Sequence, residues 1–334
     1  MSGLWAVLLS ALTALLAAWL LTPVAWRYSR NHGLVDQPGP RRSHSRPVAR
    51  GGGVAVAAAL IAAVLVTGLA GYAPVPGLLP WLLGVIAFTL LGWADDHRPL
   101  SVAFRLQAQL LLVTALLWAT GLPTLPVWWI PLAVMGMLWW LNLYNFMDGA
   151  DGLASLHAVV MALVLSIVFA SMDRAVEAIA ASATAAAALG FLYWNRPPAK
   201  IFLGDSGSLM LGWALGYLCW VGFRDGLFGV GWCLILAAPF VVDATLTLAW
   251  RVLSGRRWYT AHRDHAYQRL IRCGWSHGHV LMALLLVDLG VVAPAAVYAW
   301  KRPELEWALS AGMLLLIGAL WLIVRLRTAG EKEQ

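Results

Sequence analysis

The segment Asn142-Leu143-Tyr144-Asn145-Phe146-Met147-Asp148-Gly149-Ala150-Asp151-Gly152 repeats an oxygen-bearing side chain at every third position, as Asn142, Asn145, Asp148 and Asp151. Residues three apart are neighbours on a helix, so this spacing predicts four such groups stacked along one face of a helix end. Oxygen donors of this kind suit Mg²⁺ or Mn²⁺ better than zinc. Gly149 and Gly152 would let the chain turn out of the helix and let a ligand approach.

Other acids lie in comparable settings. Asp95 and Asp96 close an apolar run, nine residues before Arg105. Neighbouring helical residues point about 100° apart, so the two form a tight pair only if the helix has ended. One can then address a metal or phosphate and the other a proton. Asp205, within Gly204-Asp205-Ser206-Gly207-Ser208, precedes another apolar run and reads equally as a helix cap or as a metal or phosphate loop. Asp243 follows Pro239 by four residues, and that proline can open its helix. His262, Arg263 and His265 fall within four residues and make a compact anion-binding group. The pattern lacks the further ligands zinc requires.

Between residues 33 and 53 the chain carries Asp36, Pro38, Arg41, His44 and three consecutive glycines, Gly51 to Gly53. Prolines and glycines exclude a helix there. A basic juxtamembrane loop accounts for the arginines. The glycines, opening a helix, offer backbone N–H groups to an anion. Asp288, in the middle of an apolar run, has no assigned role beyond pairing with a neighbouring helix, although acids inside a membrane are functional by default.

The elements that must position these groups are apolar. With 61% hydrophobic and 12% charged residues, the 334-residue chain is excluded from the soluble globular class. Crossing a bilayer takes about 20 apolar residues. Such segments occur at roughly 4–26, 53–72, 78–93, 104–121, 127–143, 154–170, 178–194, 206–223, 227–250, 279–299 and 307–325. Backbone groups in lipid must be satisfied within the element, so these are helices. The expectation is an all-α polytopic membrane protein with about 11 transmembrane helices, one domain over residues 1–334.

With the N-terminus outside and the C-terminus cytoplasmic, all of the 23 Lys and Arg face inward except Arg174, Arg224, Lys301 and Arg302. The first helix has basic residues only behind it, which reads as a retained anchor. Trp128-Trp129 and Trp139-Trp140 suit the two interfaces of one span. The site then belongs to the inner loops 27–53, 93–105, 142–153, 195–208 and 251–278. A net charge of +7 suits anionic lipid and a phosphorylated substrate, while the dispersal of the basic residues argues against nucleic acid. The three cysteines show no metal or disulfide pattern.

Together these loops resemble the polyprenyl-phosphate N-acetylhexosamine-1-phosphate transferase family (glycosyltransferase family 4), which makes the first lipid intermediates of peptidoglycan and O-antigen. The resemblance runs from Asp36 to about Gln268. It rests on the Asp36/Pro38/Arg41/His44/Gly51-Gly52 loop, Asp95-Asp96, the Asn142-to-Gly152 segment, Leu203-Gly204-Asp205-Ser206-Gly207-Ser208, Pro239 with Asp243, and the His/Arg loop. The peptidoglycan branch carries consecutive histidines where this chain reads His262-Arg263-Asp264-His265-Ala266-Tyr267-Gln268. That form looks closest to the WbpL-type enzymes that start bacterial O-antigen, and it argues against a muramoyl-pentapeptide substrate.

The resemblance implies that undecaprenyl phosphate attacks the sugar-bearing phosphorus of a UDP-N-acetylhexosamine, releasing UMP, in the bacterial inner membrane with the active site facing the cytoplasm. It implies Mg²⁺, with Mn²⁺ as a substitute, on Asp205 and Asn145. Asp95 and Asp96 would be catalytic, one of them deprotonating or orienting the lipid phosphate, which Arg105 would hold. His262, Arg263 and His265 would grip the diphosphate. Asn142, Asp148 and Asp151, with Asp36, Arg41 and His44, would bind substrate. A covalent aspartyl intermediate stays open, as do the sugar, N-acetylglucosamine or a 6-deoxy-N-acetylhexosamine, and a homodimer. The rival is a secondary transporter, but transporters set polar groups on broken helices near the midplane.

Overall fold

The helix that organises the bundle carries small residues where its neighbours come closest. In the computed structural model, which describes residues 2–39, 46–72, 75–257 and 262–329, this is α8, Asp205–Arg224. It is buried along almost its whole length and packs against α2 (Gly53–Leu69), α3 (Val75–His97), α5 (Trp129–Phe146), α6 (Leu153–Ser171) and α7 (Ala175–Asn195). Small residues let membrane helices approach closely. A Cβ on Gly53 would lie 2.1 Å from the backbone N of Gly207, and one on Gly92 would lie 2.2 Å from the carbonyl carbon of Asp205.

The remaining helices are α1 (Ser2–Asn31), α4 (Val102–Ala119), α9 (Val230–Leu253), α10 (Ala266–Arg272), α11 (His277–Val287), α12 (Ala293–Lys301) and α13 (Glu306–Arg327). A π-turn, Asp288–Val292, joins α11 to α12. All eleven apolar segments of the sequence are helical. Among the described residues, nine helical stretches are long and apolar enough to cross a membrane, and Gly53–Leu69 is a shorter apolar helix. α1, α4 and α13 turn Leu8, Leu12, Leu111, Leu315 and Leu326 outward, as a lipid-facing surface requires. The protein is an all-α multi-pass membrane protein.

Four local features differ from the sequence expectation. The third helix continues to His97, so Asp95 and Asp96 lie inside its last turn. α9 runs unbroken through Pro239. α5 ends at Phe146, so the three-residue recurrence does not stay on one helical face. Between α1 and α2, Val35–Asp36 (β1) pairs antiparallel with Val48–Ala49 (β2), and Ala49 bridges to Ile201.

Candidate active site

The two neighbouring carboxylates at the end of α3 point to different partners. Asp96 is 2% exposed and accepts the backbone N–H groups of Asp205 and Ser206, both at 3.1 Å. It caps α8 from outside, because the residue at the cap position is Gly204. A Cβ at Gly204 would lie 2.7 Å from Asp96 Oδ2, and the backbone there is left-handed at φ 74°. Glycine is therefore required for this approach. Arg50 closes the arrangement by donating to the Asp96 carbonyl at 2.5 Å.

Asp95 turns the other way. Its Oδ1 accepts the Leu100 N–H at 2.7 Å and its Oδ2 accepts from Arg105 at 2.7 Å. The same Arg105 nitrogen lies 3.5 Å from Asp205 Oδ2. Asn145 Nδ2 donates to Asp205 Oδ1 at 3.3 Å. Arg105, Asp95, Asp205 and Asn145 thus form one chain of contacts across α3, α4, α5 and α8.

Beyond α5 the chain turns through Asp148 to Gly152. Gly152 has φ 77°, and its N–H is held by Asn195 Oδ1 at 3.1 Å. Asp151 accepts the Ala199 N–H at 2.9 Å, and His277 Nδ1 lies 3.0 Å from its other oxygen. These ties shape a polar cavity of 230 Å³ whose lining includes Asp36, Arg50, Asp96, Asn145, Asp148, Asp151, Asp205, Gln268 and His277. Burial, then the charges of Asp205 and Asp96, push the Asp148 carboxyl well above its usual range. Among the described residues no three His, Cys, Asp or Glu side chains converge as a ready metal cluster. Asn145 does meet Asp205, through its amide nitrogen, beside Asp148, and the Asn145 amide oxygen and the two carboxylates are hard oxygens of the type Mg²⁺ takes.

A second space adjoins the first. It is an apolar groove of 840 Å³ between α4, α5 and α9, lined by Leu106, Leu132, Met135 and Trp139, with Arg105, Asn142, His262 and His265 at its polar end. Gln268 lines both spaces. The loop carrying these histidines is fastened from α9: Asp243 accepts the Ala266 N–H with both oxygens, at 2.9 and 3.1 Å. Tyr267 donates to the Phe146 carbonyl at 3.1 Å, packing against Gly149 where any side chain would collide. Arg251 pairs with Asp264. Against the push of burial, this hydrogen bond and charge hold the Asp264 carboxyl below its usual range.

Several sequence expectations change here. Asn142 does not join the row with Asn145, Asp148 and Asp151; it donates to Gln109 at 2.7 Å and lines the groove. Gly52 and Gly53 do not offer their N–H groups to an anion. Gly52 and Gly53 donate to the carbonyls of Phe202 and Leu203, both at 2.9 Å, and the glycines serve contact with α8. Arg263 donates to the Gly39 carbonyl at 3.2 Å, apart from the two histidines at the groove. Arg41 and His44 lie outside the described residues. Gln268, His277, Asn195 and Arg50 belong to the site and were not singled out from sequence as candidates for it. Their one available signal was position within the inner loops.

Residues 78–223 match the profile of glycosyl transferase family 4. Over 316 residues the chain is 31% identical to the phospho-N-acetylmuramoyl-pentapeptide-transferase of Heliobacterium modesticaldum, covering 85% of this chain and 94% of that protein. It is 28% identical over 296 residues to the probable undecaprenyl-phosphate N-acetylglucosaminyl 1-phosphate transferase of Bacillus subtilis, covering 84% and 82%. Against the decaprenyl-phosphate N-acetylglucosaminephosphotransferase of Mycobacterium leprae the identity is 26% over 366 residues, covering 96% and 90%. The length of these matches, together with aspartates from four separate segments gathered at one polar cavity, assigns the chain to glycosyl transferase family 4, the polyprenyl-phosphate N-acetylhexosamine-1-phosphate transferases.

Proposed function

We propose that the protein transfers N-acetylhexosamine 1-phosphate from a UDP-sugar to undecaprenyl phosphate, as the first step of O-antigen or another bacterial surface polysaccharide. The observation that carries this is the junction at Gln268, where a polar cavity meets an apolar groove. One space suits a nucleotide sugar, the other an isoprenoid chain. Arg105 spans them, lining the groove and touching Asp205 of the cavity.

An oxygen of the lipid phosphate attacks the sugar-bearing phosphorus and forms a new P–O–P bridge. The old bridge breaks, and UMP leaves with its oxygen and the electron pair. Such transfers depend on in-line positioning and on neutralising charge more than on covalent help from the protein. Arg105, with His262 and His265 beside it, holds the lipid phosphate at the polar end of the groove. Asp95 orients Arg105, and Asp96 fixes the start of α8 so that Asp205 faces the cavity. Asp148 and Asp151, with Asp36, Gln268 and His277, enclose the nucleotide sugar. Mg²⁺ bound by Asp205 and Asn145, with Asp148 alongside, would neutralise the phosphoryl oxygens during transfer.

The His262-to-Gln268 loop favours a simple N-acetylhexosamine, N-acetylglucosamine or a 6-deoxy sugar such as N-acetylfucosamine or N-acetylquinovosamine, over a muramoyl-pentapeptide donor. The positive-inside bias supports an inner-membrane protein with this site facing the cytoplasm. The test is UMP release by purified protein given undecaprenyl phosphate, Mg²⁺ and a panel of UDP-N-acetylhexosamines, with and without EDTA. EDTA-sensitive release is the expected result. Absence of release from folded protein across the panel would remove the proposal.

A further inference from the structure

Two ionisable side chains lie in the apolar interior of the bundle, outside the site described above. His157, on α6, is 1% exposed and Asp288, at the start of the π-turn, is 0% exposed. His157 Nδ1 donates to Asp288 Oδ2 at 3.0 Å. Its ring stacks on Phe240 of α9, with centroids 4.1 Å apart and planes 25° from parallel. Neither His157 Nε2 nor Asp288 Oδ1 has a partner among the described residues. Each side chain therefore relies on the other, in a setting where an unpaired charge is costly.

The same helices meet at a second His–Asp contact with the roles exchanged. At the mouth of the cavity Asp151 precedes α6 and His277 opens α11, 3.0 Å apart. Deeper in, α6 supplies the histidine and the end of α11 supplies the aspartate. A single contact between two helices leaves one free to swing about it. Two contacts at different depths also fix the tilt of one helix against the other. α11 is joined by a short turn to α10, which carries Gln268. The π-turn lies where the deeper contact is made, and such turns are frequent at functional positions.

We propose that His157 and Asp288 are a positioning pair for nucleotide-sugar binding. They register α11 against α6, and through that register they keep His277 at Asp151 and Gln268 over the cavity. This rests on the transferase reading above and extends it to residues that touch no substrate.

The experiment compares full-length wild-type protein with three variants by steady-state kinetics, thermal unfolding and a mobility label on the exposed Cys273, with Cys219 and Cys233 replaced by alanine. His157→Phe keeps the ring stack and removes the hydrogen bond. It should raise KM for the UDP-sugar about tenfold with kcat within about twofold, and loosen the label. His157→Asn keeps a donor at the Nδ1 position and should return KM to near the wild-type value. His157→Phe combined with Asp288→Leu removes both polar groups, so stability should recover while KM stays raised and the label stays loose. A double variant that recovers stability, KM and label mobility together would reduce the pair to a structural contact and overturn the proposal. Wild-type KM in His157→Phe would overturn it equally. The label is read without turnover, so loosening in the variants would support the pairing even if an inactive wild type removed the transferase reading.

Discussion

Asp96 reaches from the last turn of α3 to cap the first turn of α8, holding the N–H groups of Asp205 and Ser206 at 3.1 Å each. The carboxylate thereby fixes the residue that faces the cavity. Losing a cap costs about 1–2 kcal/mol, and leaving two buried N–H groups unsatisfied adds to it. Asp96→Ala should lower the thermal stability of the solubilised protein and reduce turnover by about a hundredfold or more. Asp96→Asn keeps one acceptor and should be the milder change in stability. Equal stability of wild type and Asp96→Ala would refute the capping role.

Asp205 differs in that its side chain meets only other side chains of the site, Arg105, Asn145 and Asp95 among the described residues, and not the backbone of another helix. Asp205→Asn keeps the helix start and its cap. It should abolish UMP release while leaving the unfolding temperature within a few degrees of wild type. Full activity in this variant would exclude Asp205 from the metal and the chemistry.

Gly92 faces the start of α8, where a Cβ would sit 2.2 Å from the carbonyl carbon of Asp205. Backbone cannot yield as a flexible side chain does. Gly92→Ala should push α3 from α8 and separate Asp95 from Asp205, with an overpacking cost of about 1–3 kcal/mol and a large loss of kcat. Thermal unfolding and single-turnover kinetics on the same sample check both effects. A neutral result would mean that the two helices are not in contact at this point.

The helices could be read directly because apolar length alone dictates them in a membrane. The polar residues at one end of these helices pointed to the cavity, which Asp148, Asp151, Asp205 and Asn145 line together. Their geometry was less accessible. The recurrence from Asn142 to Asp151 implies one face only if the helix persists, and α5 stops at Phe146. Asp96 caps a helix more than a hundred residues away, a tertiary contact with no local signature. His277 and Gln268 are unremarkable polar residues until α10 and α11 fold over the site. His157 reads as one more member of an apolar helix, and Asp288 acquires its meaning only through it.

Arg105 touches Asp95 and Asp205 while lining the apolar groove, and on the proposed reading its charge serves the lipid phosphate. Arg105→Ala should raise KM for undecaprenyl phosphate about tenfold or more and change KM for the UDP-sugar little. Arg105→Lys keeps the charge, loses the planar fork and should restore only part of the affinity. A selective rise in KM for the UDP-sugar would move Arg105 to the other substrate.

His262 shares the polar end of that groove, but its imidazole is hard to protonate. Burial, then the neighbouring His265 and Arg251, lower its pKa from 6.5 to about 4. On the proposed reading, at neutral pH it would therefore meet a lipid phosphate as a neutral hydrogen-bonding ring. The unfolded chain binds a proton near pH 6.5 and the folded chain only near 4, so the unfolded state holds more protons between those values. The associated stability is fully present above about pH 6.5 and is lost as pH falls through 4. His262→Gln should flatten that part of the stability profile, measured as unfolding temperature from pH 7 to 4. It should leave the pH dependence of KM for the lipid phosphate unchanged between pH 6 and 8, because no imidazolium is lost there. A KM that rises with pH in the wild type and becomes flat in His262→Gln would show that His262 is charged in use.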